Sequence, residues 1–153
     1  MPRSARPRKR YRPQPYGLPA TIRYSESDET RLQLAPHVDL ERLRSGTADA
    51  EAWSTLATRV NWGAVLASRH HPEAVALMEA AARALAAVHA RHARVGRWGA
   101  SGPEFNALAD ALVVVDDMQR AHTRRELLDA LRVAQRMERR PEAVGALMEV
   151  EAA

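Results

Sequence analysis

Hydrophobic positions recur along this chain at steps of three and four residues, in blocks punctuated by Gly and Pro, from about residue 38 onward. That spacing predicts helices, each burying one stripe. The first block carries Val38, Leu40 and Leu43, with Pro36 placed for its opening turn and Gly46 for a left-handed cap at its end. Thr47 is then expected to cap a second helix over about 48–69, striped by Trp53, Leu56, Ala57, Val60, Ala64 and Ala67. Gly63 within that run permits close approach by a neighbouring helix, at about 1 kcal/mol relative to Ala.

Pro72 opens a third helix whose inner face reads Met78, Ala81, Ala82, Leu85, Val88 and His92. Its acids, Glu73 and Glu79, sit near the start and its cations, Arg91 and Arg94, near the end, as the helix dipole favours. Gly96, Gly99 and Gly102 make a loop around Trp98, and Pro103 starts a fourth helix with Phe105, Leu108, Leu112, Val115 and Met118 as its stripe. The stripe then changes face. Leu127, Leu128 and Leu131 lie roughly 100° to 200° around from Leu108 at the helical period of 3.6.

Thr123-Arg124-Arg125-Glu126 fits a capping box, so residues 104–139 are either one rod or two helices with a break near His122. A continuous rod would project beyond a compact bundle and call for a homodimer; a break would close the molecule on itself. Pro141 begins a last short helix with Val144, Leu147 and Met148. Four to five helices with short connections predict an all-α, antiparallel helical bundle over residues 31–153.

Residues 1–30 follow another pattern. Five prolines fall within the first nineteen residues, among arginines, Tyr11, Tyr16 and Gly17, which favours an extended solvated arm. The stretch 25–30 reads as a polar, acidic hinge. Residues 1–25 contain seven cations and no acid, while the remainder of this +4 chain is net −3. Cations are thus segregated from the body. Of its 23 basic residues only Lys9 is lysine, a bias that with abundant Ala suggests a G+C-rich coding sequence.

Composition removes several classes of function. With no cysteine there is no disulfide, zinc-thiolate site or thiol nucleophile. No run approaches the roughly twenty apolar residues of a membrane span, and no signal-peptide core follows the basic start, so the expectation is a cytoplasmic protein without membrane contact. The prolines also break the amphipathic helix of a transit peptide.

Candidate chemistry is sparse. His89 and His92 share a helical face, with Asp116, Asp117 and His122 as further donors, but the Glu-x-x-His pattern of bundle metal sites is missing and Arg91 and Arg94 repel a cation. Ordinary polar-face histidines are the simpler reading. No nucleophile elbow or phosphate-binding loop occurs, so no enzyme, cofactor or metal is expected. Trp53 and Trp62 lie nine residues apart, on opposite sides of one helix, so either Trp62 meets a further helix or subunit or the bundle buries both.

The arm is the strongest signal. Arg8, Lys9, Arg10, Tyr11, Arg12 and Tyr16 interleave cations, which neutralise phosphates, with rings that stack on unpaired bases. A nucleic acid, a nucleoprotein or an acidic protein surface is the expected partner. In a rival reading, a protein-interaction module uses Trp62, Trp98 and exposed leucines of residues 124–139. The segments Arg8-Lys9-Arg10-Tyr11-Arg12-Pro13, Leu18-Pro19-Ala20-Thr21-Ile22-Arg23-Tyr24 and Trp53-Ser54-Thr55-Leu56-Ala57-Thr58-Arg59-Val60-Asn61 resemble small uncharacterised prophage-encoded helical proteins of Gram-negative bacteria. That resemblance covers about the first seventy residues and implies a phage-related accessory role.

Overall fold

The first helix begins earlier than the hydrophobic pattern suggests. A computed structural model describes residues 26–138, and α1 runs Glu26–Ser45, taking in most of the stretch read as a hinge. Pro36 consequently lies inside α1 rather than at its start, giving up one main-chain hydrogen bond at a typical cost of about 3 kcal/mol. Burial of Leu40 and Leu43 against the bundle offsets that loss, each fully buried leucine stabilising by roughly 1.5–3 kcal/mol.

Gly46 ends α1 at φ +74°, a conformation that side chains resist. Thr47 does not cap the next helix; its N–H donates back to the Arg42 carbonyl at 3.0 Å. The cap is Asp49, whose Oδ1 accepts from the Ala52 N–H at 2.9 Å while Oδ2 accepts from Arg42 at 2.7 Å. An aspartate that both caps and pairs with the preceding helix outcompetes a nearby hydroxyl.

Helix α2, Ala50–His70, touches each of the other described helices. A 3₁₀ turn, Pro72–Ala74, leads into α3, Val75–Val95, which ends at Gly96 with φ +71°. Helix α4, Gly102–Ala121, starts in a capping box between Ser101 and Glu104. It stops before His122, whose extended backbone separates it from α5, Arg124–Glu138. No projecting rod forms.

Helices α1 to α4 make an antiparallel four-helix bundle, and α5 packs on the outside of α2. Gln33 meets Arg120, His37 meets Asp116 and the Leu43 carbonyl meets the Ala100 N–H, so α1 runs opposite to α4 along its length. Across the diagonal, α2 and α4 touch at Gly63: a Cβ there would overlap Val115 Cγ2 and lie 2.9 Å from Met78 Sδ. The core joins Leu43, Leu56, Leu66, Met78, Leu108, Leu112 and Leu127. Ala82, placed on the inner face of α3 by spacing, is exposed, and Ala84 takes its place. The helix expected after Pro141 lies outside the described residues.

Candidate functional site

Three polar constellations stand out, one inside the bundle and one at each end. The interior one begins with two charges on apolar stripes: Arg59 on α2, 7% exposed, and Asp116 on α4, 8% exposed. Arg59 donates to Asp116 Oδ1 at 2.7 Å, and His37 Nε2 donates to Oδ2 at 2.8 Å, so three helices converge on one carboxylate. The Arg59 guanidinium also sits 4.6 Å from the centre of the Trp62 ring. Burial pulls the Arg59 pKa down, and the hydrogen bond and charge of Asp116 oppose it. Gln119, fully buried beside this group in sequence, Gln33 Nε2 and Arg59 Nε find no hydrogen-bond partner among the described residues.

At the end where α2 and α4 finish, three histidines gather. His71 and His122 approach Nε2 to Nε2 at 2.9 Å, and the His70 ring centre lies 4.7 Å from that of His122. His122 Nδ1 faces Glu126 Oε2 at 3.3 Å, which favours the Nδ1–H tautomer and leaves Nε2 to accept from His71. His71 Nδ1 lies 3.4 Å from Glu73 Oε1. The two rings thus stand between the Glu73 and Glu126 carboxylates. Glu126 is held down to about 2, first by the Thr123 backbone N–H and then by its hydroxyl, with His122 adding to the effect.

A groove of about 380 Å³ opens beside these histidines, between the 3₁₀ turn, the start of α3 and the last turns of α4. Leu77, Val114 and Met118 give it apolar walls, while His71, Glu73 and Asp117 stand at its edges.

The opposite end is aromatic. Trp98 stacks on His92 with ring centres 3.9 Å apart and an interplanar angle of 10°, while Trp53 and His89 complete the cluster at 5.1–5.9 Å. The Trp53 indole N–H donates to the Leu85 carbonyl at 3.0 Å. Arg91 clamps the loop by donating to the Gly99 carbonyl at 2.7 Å and to both oxygens of Glu104 at 2.7–2.9 Å. That Arg91 hydrogen bond is the main reason the Glu104 carboxyl is lowered to about 2.

The candidates from sequence are thus dispersed. His89 and His92 pack on tryptophans, Asp116 pairs with Arg59 and His37, Asp117 pairs with Arg120 at the surface, and His122 joins His70 and His71. Among the described residues no group of three or more His, Asp or Glu is arranged to hold a metal. Trp62 is not a surface contact: it is 9% exposed, and its indole N–H donates to the Leu127 carbonyl of α5 at 3.0 Å. Trp98 is half-buried. Leu127 is buried and Leu128 and Leu131 are half-buried, because α5 turns its leucines toward the bundle. Arg8, Lys9, Arg10, Tyr11, Arg12 and Tyr16 lie outside the described residues.

Sequence reasoning passed over His37, Arg59, His71 and Gln119. The usable signal was a charge inside an apolar stripe, Arg59 between Leu56 and Val60 and Asp116 after Val115. No protein-family model matches this chain, and neither a curated protein nor a solved structure was found to match it.

Proposed function

We propose that this chain is a small helical accessory protein, of the phage-related kind its first seventy residues resemble, that holds a nucleic acid or nucleoprotein through residues 1–25. One observation carries the reading: seven cations and no acid precede a body of net −3. The body's own arginines support it. Arg42, Arg44, Arg59, Arg91, Arg120 and Arg132 each pair with a carboxylate of the body, whereas the cations of residues 1–25 have no acid beside them in sequence. Arg8, Lys9, Arg10 and Arg12 then neutralise phosphates, and Tyr11 and Tyr16 stack on bases.

No described helix is long and apolar enough to cross a membrane, in keeping with a cytoplasmic place of action. The test is fluorescence anisotropy of a labelled single strand. Seven released counterions predict a slope of log K against log salt near −5, at about 0.7 per phosphate. Deleting residues 1–24 abolishes the association; unchanged binding by the shortened chain refutes the reading.

A second reading, a protein-interaction module, draws support from exposed Leu34 and Val38 on α1 and Val113 on α4. Capture of a protein from a host lysate that survives nuclease treatment and needs these residues favours this rival.

A further inference from the structure

We propose that the groove between the 3₁₀ turn and α4 is the docking site of this chain's own Arg10-Tyr11-Arg12 segment. The occupant follows from position and charge. Helix α1 runs opposite to α4, with Gln33 level with Arg120, so Glu26 and everything before it start from the end of the bundle that holds Asp117, His71 and Glu73. Seven residues of α1 separate residue 26 from that level, a rise of about 10 Å. Fifteen residues separate Tyr11 from Glu26, a reach of up to about 50 Å. Length does not limit the contact.

The chemistry matches as well. A groove of about 380 Å³ is at the small end of ligand sites, which run from roughly 300 to 1,000 Å³, and suits one ring rather than a helix. Leu77, Val114 and Met118 offer apolar walls for the ring of Tyr11, and Glu73 and Asp117 at the edges offer carboxylates for Arg10 and Arg12. Asp117 already holds Arg120 at 3.0 Å and Glu73 lies 3.4 Å from His71, so each incoming arginine shares its carboxylate with a resident group. The contact is accordingly weak. Tethering supplies an effective concentration on the order of millimolar, enough to half-fill a site of similar dissociation constant.

The arm therefore divides its time between its own body and an outside anion. That the outside partner exists rests on the function proposed above; the groove contact does not.

The chain has no cysteine, so Gln14→Cys carries a single spin label on otherwise intact protein. Amide signals of residues 73–77 and 114–121 are expected to lose intensity by at least about twofold at half occupancy, independent of protein concentration. Glu73→Gln with Asp117→Asn should restore them, while Glu51→Gln with Asp129→Asn, equal in charge change, should not. The groove double variant should also bind a single-stranded oligonucleotide about twofold more tightly than that charge-matched control, since half occupancy halves the competent fraction.

Undiminished signals, or loss seen only between labelled and unlabelled copies, overturn the proposal, the latter assigning the groove to a second copy. If the groove signals respond as stated but no oligonucleotide binds, the nucleic-acid reading fails and the docking site stands.

Discussion

Replacing Gly63 by Ala tests the diagonal contact on which the bundle closes. In an isolated helix the change is favourable by about 1 kcal/mol, because Ala outranks Gly in propensity. Here the added methyl overlaps Val115 Cγ2 and comes 2.9 Å from Met78 Sδ. Methionine can swing away, but Val115 is fully buried, β-branched and held to one rotamer on α4. Overpacking of this kind costs about 1–3 kcal/mol, and the stiffness of Val115 puts the cost at the upper end.

The net expectation for Gly63→Ala is a loss of about 1–2 kcal/mol, or roughly 5–10 °C in Tm for a domain of this size. Urea unfolding followed by circular dichroism at 222 nm reads it directly. In a Val115→Ala background the methyl finds room, so the same change should become neutral or stabilising, a coupling of about 2–3 kcal/mol. A higher midpoint for Gly63→Ala alone, or equal effects in both backgrounds, would refute the contact.

Further outcomes follow from single groups. Asp116→Ala leaves Arg59 buried without its partner and should cost about 3–5 kcal/mol by thermal unfolding, whereas Asp117→Ala, one residue along and exposed, should cost within about 0.5 kcal/mol. Glu104 is held at about 2 in the fold against an ordinary 4.5, so its contribution is complete above about pH 5 and disappears as pH falls toward 2. With Arg91 about one-third exposed, that contribution is about 1–2 kcal/mol after screening, and Glu104→Gln should flatten the stability profile across that range. Thr123→Ala removes the α5 cap and should lower stability by about 1 kcal/mol, seen as a loss of helix signal before the main unfolding transition.

Sequence periodicity was a good guide wherever one stripe faced one core. The break at His122 was readable as a shift of the leucine stripe together with Thr123 and Glu126, and those two side chains do close the box, with Glu126 Oε2 accepting from the Thr123 N–H at 2.7 Å. Gly63 announced a close approach, and the approach is there. The start of α1 was hidden because the residues before Val38 carry charge rather than a stripe, and Pro36 is as acceptable at a first turn as it is costly within a helix.

Thr47 and Asp49 are both legitimate caps by type; the tie from Arg42 to Asp49, seven residues apart, decides between them. Trp62 could be placed opposite Trp53, but not assigned to a surface or an interior without knowing where α5 returns. The histidine corner escaped notice for the same reason. His71 and His122 are 51 residues apart, and only the relative rotation of two helix ends brings their rings together.

The attachment of α5 has a consequence for how this molecule comes apart. Helix α5 rests chiefly on α2, through Leu127, Ala130 and Ala134 and the bond from Trp62 to the Leu127 carbonyl, while α1 to α4 enclose one another. Its main-chain amides should therefore exchange with deuterium through a partial opening cheaper than global unfolding, ahead of those around Leu56, Leu112 and Val115. In that opened form an indole and a strip of small apolar residues come into contact with water together, which makes the detachment of α5, rather than opening of the bundle, the starting point for self-association on heating.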